Sequence, residues 1–395
     1  MNRFALFFPR TSNDPFIELG ISSLKSLINL GCLRIYDDFS PKDTYHLNFI
    51  NYVNTEFKFV FVAWFDINEK TLEQSTINLI NKTPNIFLLI WHCYEPNVDL
   101  KSVEKFINDS QIRNSKVIVL STDSTVDTTL NSVILDEWFE ALSRYQIKLY
   151  NDASFINPCE YFIPKNSRGL CLNRNVRPHR IWNYYALFNS NLLPKLYFSY
   201  HLPIIHDNQK KYQPVPPFVY KDVIEEAKLA LPSKIQKKFS KWKYLYTPRY
   251  LDNREVTPYF YDNSIKKYYK ASAYSIVTET VTDKLFVTEK TYKAIAHCHP
   301  FISVSSKENI NYLVSHGYKL YEELFNGVTC IDNYETAIQV YKHLANKSKN
   351  LWKAQLNEAR TIAVDNYHNF FERPILFATV INTVINKINK QNFSA

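Results

Sequence analysis

Residues 272–303 read SAYSIVTETVTDKLFVTEKTYKAIAHCHPFIS, and this stretch limits the possible folds more than any other part of the chain. Tyr274, Ile276 and Thr278 alternate as in a strand that ends on Glu279. A polar loop with Asp283 and Lys284 follows. Thr288 then caps a short helix whose apolar face holds Tyr292 and Ile295, and Pro300 stops that helix. Phe301, Ile302 and Val304 form the next buried strand. The pattern is a βαβ unit, with Glu289 and Lys290 on the first helical turn above the carboxyl end of a strand. Ligands bind at that edge in open α/β sheets, and the free N–H groups and dipole of a helix start attract phosphate. Glu289 is placed to accept both hydroxyls of a ribose, and Lys290 to pair with a phosphate oxygen. Together these are the parts of a nucleotide-diphosphate site. An ordinary βαβ unit with a solvated Glu–Lys pair accounts for the same residues.

Val287-Thr288-Glu289-Lys290, then Ala294-Ile295, then Pro300-Phe301-Ile302 also carry a resemblance. They resemble the donor-site motif of the α-1,3-fucosyltransferases and of related phage and bacterial glycosyltransferases. The resemblance implies an α/β chain of two Rossmann-like domains with a cleft between them, the GT-B arrangement. It matches Glu279 to the first Glu of the motif, Glu289 to the ribose-binding Glu and Lys290 to the Lys beside it. Thr280 stands where those enzymes have Asn, and His297-Cys298-His299 sits where a Gly is usual. The match covers residues 274–302 and leaves the sugar and the acceptor open.

The chain has 395 residues, enough for two domains with full cores, and its hydrophobic content of 46% with 15% aromatics excludes general disorder. Neither GxGxxG nor a P-loop occurs among its five glycines. Six cysteines are scattered without a CxxC pair, which favours reduced thiols in a cytoplasm over a disulfide framework or zinc site. The first residues lack the apolar core of a signal peptide, and no run is long enough to span a membrane. A net charge of +9 suits a polyanionic partner, either nucleic acid or an anionic membrane surface.

Residues 1–165 read as a first, acceptor-side domain. Phe4–Pro9 is a strand, and Asp14-Pro15 opens a helix with Ile17, Ile21, Leu24 and Ile28 that Gly31 closes. Strands follow at 57–63, 86–91 and 116–120, and a helix over 136–145 carries Trp138, Leu142 and Tyr145. Such alternation predicts a parallel sheet covered on both faces. Residues 166–372 form the second, donor domain. It opens with a strand from Gly169 that runs into RNVRPHR, crowding Arg174, Arg177, His179 and Arg180 past its end. Arg offers paired donors to phosphate oxygens, so this cluster suits a diphosphate, as a solvated loop also would. Leu196–Tyr200 is the next strand. Residues 206–270 form a basic, aromatic insertion with a helix over 221–230. Lys237, Lys238 and Lys241 stand beside Trp242, Tyr244 and Tyr246, a mixture that fits a nucleic-acid backbone and splayed bases or a solvated lysine face. Helices at 309–315 and 335–344 flank a strand at 328–331. The last segment, 373–395, holds a helix over 374–388 that, by the resemblance, returns to the first domain.

Sugar transfer with inversion needs a base for the acceptor hydroxyl. Glu95, in Trp91-His92-Cys93-Tyr94-Glu95-Pro96, follows an apolar strand and resembles the Glu-Ser-Pro segment that supplies the base in fucosyltransferases. Asp66 is the second choice. His297 and His299 flank Cys298, but neighbours i and i+2 on a helix point apart, which favours packing over metal ligation. No Asp-x-Asp occurs, so the expectation is chemistry without a metal or other cofactor. The reading is a cytoplasmic glycosyltransferase using a UDP- or GDP-sugar. Arg174, Arg177, Arg180 and Lys290 face the diphosphate, and Glu279, Thr288 and Glu289 complete the donor site. The acceptor is expected to be a hydroxymethylated base in duplex phage DNA, bound through Lys237, Lys238, Lys241 and Trp242. The alternatives are a transferase acting on a surface or lipid-linked glycan, and a basic nucleic-acid-binding protein without catalysis.

Overall fold

The computed structural model describes residues 4–9, 33–39, 59–64, 74–92, 100–122, 130–134, 137–140, 143–144, 167–173, 176–200, 204–206, 212–214, 221–242 and 265–373. The chain divides into two compact units, Met1–Gln146 with Pro374–Ala395, and Ile147–Arg373. The helices expected from Asp14 to Gly31 and over 374–388 lie outside the described residues.

In the first unit the strands are β1 (Phe4–Pro9), β2 (Leu33–Phe39), β3 (Phe59–Trp64), β4 (Ile86–His92), β5 (Val117–Ser121) and β6 (Asn131–Ile134). They form one sheet in the order β2-β1-β3-β4-β5-β6, and every pairing is parallel. Helices α1 (Gln74–Lys82) and α2 (Leu100–Asp109) supply Ile77, Ile80, Val103 and Ile107 to a core completed by Ile86, Leu88, Ile90, Val117 and Val119. Phe87 and Leu89 on the other face of β4 are buried as well. Burial on both faces is why this strand is a continuous apolar run rather than an alternating one.

The second unit repeats the plan. Its strands β7 (Gly169–Asn173), β8 (Leu196–Tyr200), β11 (Tyr274–Thr278), β12 (Phe301–Val304) and β13 (Cys330–Ile331) lie in the order β13-β12-β11-β7-β8, all parallel. Strands β9 (Ile204–His206) and β10 (Tyr212–Pro214) form a separate antiparallel pair. Helix α3 (Pro178–Asn189) packs with α4 (Lys221–Leu229) and with α9 (Tyr334–Asn346), and α7 (Glu289–Ala296) packs with α10 (Lys349–Glu372). Between them in sequence lie α5 (Ser233–Phe239), α6 (Lys266–Ala271) and α8 (Lys307–Ser315).

Counting each sheet's own strands, the first runs 2-1-3-4-5-6 and the second 2-1-3-4-5, the doubly wound order whose direction reverses between the first and third strands. In the second unit that switch point lies between β7 and β11. The two strands pair only as Tyr274–Gly169 and Ser275–Leu170. Gly169 is required there, because a Cβ on it would lie 2.4 Å from Cζ of the buried Tyr274 ring. Toward their carboxyl ends a side chain bridges the pair, with the Thr278 hydroxyl donating to Asn173 Oδ1.

Candidate functional site

Thr288 has extended backbone (φ −111°, ψ 179°) and caps α7 by accepting from Lys290 N at 3.4 Å. A β-branched hydroxyl followed by Glu is a favourable helix start, since the oxygen takes a free N–H and the acid meets the dipole. Glu289 and Lys290 therefore occupy the first turn. Glu279, fully buried, sits beneath that turn. Its Oε1 accepts from Thr288 N at 3.2 Å and from Thr291 Oγ1 at 2.5 Å, and its Oε2 accepts from Thr288 Oγ1 at 2.5 Å. Glu279 is thus a clamp on the helix start and not a group facing a ligand, which corrects the direct binding role expected for it. The expected fork of free N–H groups is also largely taken. Thr288 N goes to Glu279, Lys290 N to Thr288 Oγ1, and Thr291 N to Thr288 O at 3.2 Å.

Asn309 holds the loop between Glu279 and Thr288 from the other side. It accepts from Phe286 N at 2.6 Å and donates to Phe286 O at 3.2 Å, while Ser306 Oγ donates to Lys284 O at 2.9 Å. The sequence reading assigned no role to Asn309. Its signal was the Ser306-x-x-Asn309 spacing, in which Ser306 caps α8 by accepting from Asn309 N at 3.3 Å.

The Lys290 ammonium lies 3.0 Å from Thr280 Oγ1, 3.1 Å from Thr288 Oγ1 and 3.0 Å from Glu289 Oε1. The Glu289 side chain is 12% exposed and that of Lys290 28%. Burial alone would raise the Glu289 carboxyl, but the charges of Lys290 and Lys293 and the hydrogen bonds from Lys290 and from its own backbone hold it below the usual range. The residue at this edge is therefore an ionised carboxylate beside an ammonium.

Helix α3 brings basic groups to the same switch point. Pro178 occupies its first position after the N-cap Arg177. Arg180 Nη2 donates to Glu279 O at 3.2 Å and to Thr278 O at 3.4 Å, and His179 Nε2–H donates to Glu279 O at 2.8 Å. The ring must be the donor there, since a carbonyl only accepts. Burial, then the nearby Arg180 charge, press the His179 pKa down to about 3 against the carbonyl bond, so the ring is neutral. Burial and then Arg177 lower Arg180 to about 10. Arg180 is only 3% exposed and is held on the carbonyls of Thr278 and Glu279, whereas Arg177 is half-buried. Arg174, Glu95 and Asp66 lie outside the described residues.

Behind α7, His297 stacks on Tyr269 with ring centroids 4.1 Å apart. His299 Nδ1 lies 2.6 Å from Ser275 Oγ, and its Nε2–H donates to Ser272 O at 2.9 Å. Both imidazoles are buried packing groups. Cys298 between them is left-handed (φ 51°) and ends the helix, with His299 N donating to Ala294 O at 2.9 Å. That is the conformation glycine adopts at least cost.

Trp242 differs from expectation. It is 8% exposed and packs edge-on against Tyr184 (4.7 Å) and Tyr185 (5.0 Å), so its ring belongs to the core and is not open to a base. Lys237, Lys238 and Lys241 are exposed. Among the described residues no group of three or more His, Cys, Asp or Glu is placed to hold a metal, and no helix is long and apolar enough to cross a membrane.

The topology thus defines a class, an α/β chain built of two doubly wound parallel sheets. No family model matches the chain, and no curated protein matches it. Among solved structures it is similar to T4 phage BGT in complex with its UDP-glucose substrate, at 10% identity and a TM-score of 0.44, covering 96% of this chain and 99% of that one. It is also similar to an alpha1,3-fucosyltransferase, at 10% identity and a TM-score of 0.42, covering 94% and 91%. An alpha1,3-fucosyltransferase with GDP-fucose aligns at 10% identity and a TM-score of 0.36, covering 95% and 92%.

Proposed function

We propose that this protein is a glycosyltransferase of the GT-B type, moving a sugar from a nucleotide-diphosphate sugar to a hydroxyl acceptor. The observation that carries the reading is the convergence, at the switch point of the second unit, of an ionised carboxylate and an ammonium on the first turn of α7 with the basic start of α3. Ligands of doubly wound sheets bind at such an edge. Glu289 accepts the ribose hydroxyls. Lys290 and Arg177, with Arg174, offset the diphosphate charge as the bond to the sugar breaks, and Arg180 adds its field from below. Protein cations fill the role a metal takes in other transferases, so the reaction is proposed to be metal-independent. Glu95, or in its place Asp66, takes the acceptor proton.

Thermal shift and titration calorimetry with UDP- and GDP-sugars test the donor site, since a bound donor raises the melting temperature by mass action. Glu289→Ala and Lys290→Ala should each weaken donor binding by about 2 kcal/mol, the scale of a charge-assisted hydrogen bond. Unchanged affinity in both variants would remove the assignment. Slow release of nucleoside diphosphate without acceptor separates an enzyme from a binding module.

For the acceptor we propose a hydroxymethylated base in duplex DNA. The support is the exposed Lys237, Lys238 and Lys241, together with the net charge of +9. Affinity for duplex DNA should fall with salt at a log–log slope near roughly −0.9 per phosphate contact. Replacing the three lysines by Ala should make that slope shallower. Sugar should pass to DNA containing 5-hydroxymethylcytosine and not to unmodified DNA. Transfer to an oligosaccharide or lipid-linked glycan, with DNA ignored at low salt, would favour a glycan acceptor instead.

A further inference from the structure

An ammonium has three N–H donors, and all three of Lys290 are committed inside the protein, to Thr280, Thr288 and Glu289. Two of these partners belong to the framework. Thr280 and Thr288 are both buried, and Thr288 is itself fixed by Glu279. Glu289 is the third, on the first turn of α7 with its side chain 12% exposed. Its side chain bonds Lys290 and its own backbone N–H, and neither bond ties it to another element. A phosphate arriving at Lys290 therefore finds no donor to spare and a carboxylate of its own sign alongside.

We propose that the Glu289–Lys290 pair makes phosphate capture conditional on a ribose. When the two hydroxyls of a nucleoside diphosphate draw the Glu289 carboxylate onto themselves, the third donor of Lys290 is released to a phosphate oxygen. A phosphate or pyrophosphate without a ribose must compete with Glu289 for that donor. The inference rests on the donor-site reading above and adds a selectivity rule to it: the site rejects free polyphosphate because its own carboxylate masks the lysine. Arg180 and Lys293 also face Glu289 electrostatically, so removing this one carboxylate unmasks more than a single cation.

Calorimetry on the full chain tests the rule, using inorganic pyrophosphate, uridine and guanosine diphosphates and their 2′-deoxy counterparts as probes. The proteins compared are the wild type, Glu289→Ala, Glu289→Gln, Lys290→Ala and the Glu289→Ala/Lys290→Ala double variant. Glu289→Ala should bind pyrophosphate about tenfold more tightly than the wild type while losing the preference for ribose over 2′-deoxyribose. Glu289→Gln should gain pyrophosphate affinity in the same direction, since the amide keeps the shape without the charge. In the Lys290→Ala background the Glu289→Ala gain should shrink to the part owed to Arg180 and Lys293, and an undiminished gain would assign it to general repulsion and overturn the rule. If the wild type binds a nucleoside diphosphate but neither Glu289 variant tightens on pyrophosphate, the masking rule is wrong and the donor site stands. If the wild type binds neither nucleoside diphosphate, the donor-site reading fails and the rule fails with it.

Discussion

Replacing Glu279 by Ala should destabilise the second unit although the residue meets no solvent. The carboxylate takes three hydrogen bonds, from Thr288 N, Thr288 Oγ1 and Thr291 Oγ1, and both threonines are 1% exposed. Each buried donor left without an acceptor costs about 1–3 kcal/mol. The two hydroxyls have some freedom to turn, which puts them at the low end, while the amide does not. The sum is about 3–4 kcal/mol. The loss also removes a negative charge that helps keep the buried Arg180 protonated. For a unit of this size about 1 kcal/mol moves the melting temperature by roughly 2–4 °C, so Glu279→Ala should melt about 10 °C below the wild type. Glu279→Gln keeps one acceptor oxygen and should lose about 1–2 kcal/mol. Thermal unfolding followed by circular dichroism reads both. A Glu279→Ala transition within about 2 °C of the wild type would mean that the clamp does not hold the start of α7, and the argument built on it would fall.

Acid should weaken the second unit in a defined window. Burial, opposed by the hydrogen bond to Ser272 O, holds His299 at about 4 against an ordinary 6.5. The unfolded chain therefore binds the extra proton first, and stability falls as pH drops from 6.5 to about 4, by about 3 kcal/mol at the lower limit. His299→Gln should remove this contribution and reduce the slope in urea titrations run across the window, while the buried imidazoles of His179 and His297 keep theirs. Gly169→Ala should cost about 1–3 kcal/mol, since the new Cβ would press on the rings and methyls of Tyr274 and Leu196, and chemical denaturation would measure it. Tyr274→Phe should leave stability unchanged or raise it, because the Tyr274 hydroxyl is buried with no hydrogen-bond partner among the described residues. A loss above about 1 kcal/mol would mean that the hydroxyl has one.

The strands were the most legible part of the chain. Those of the two main sheets pair in parallel, and buried parallel strands appear as dense apolar runs such as Ile86–His92 and Phe301–Val304, found at nearly the predicted bounds. Strand β2, LRIYDDF, breaks its run with two aspartates, and β6 has only four residues, so neither stood out. Helix α10 was missed for another reason. Its buried residues Trp352, Ala359, Ala363 and Phe370 follow a helical spacing, but two of them are alanines and carry little hydrophobic signal.

In the βαβ stretch, local chemistry was enough to put Glu289 and Lys290 on the first turn of a helix. Capping by Thr288, the stop at Pro300 and the strand periodicities are all short-range effects, written within thirty-odd residues. What those side chains face was decided by partners far along the chain. Glu279 lies at the end of the same strand and looked equally available, yet packing turns its carboxylate onto Thr288 and Thr291, while its carbonyl meets His179 and Arg180 about a hundred residues away. Trp242 sits among lysines in the sequence, but the aromatic rings of α3 bury it. A sequence lists which charges and rings a segment carries. Whether each one points to solvent or into the core depends on the desolvation and hydrogen bonding that elements distant in the chain provide, and only the assembled sheet and its helices supply them.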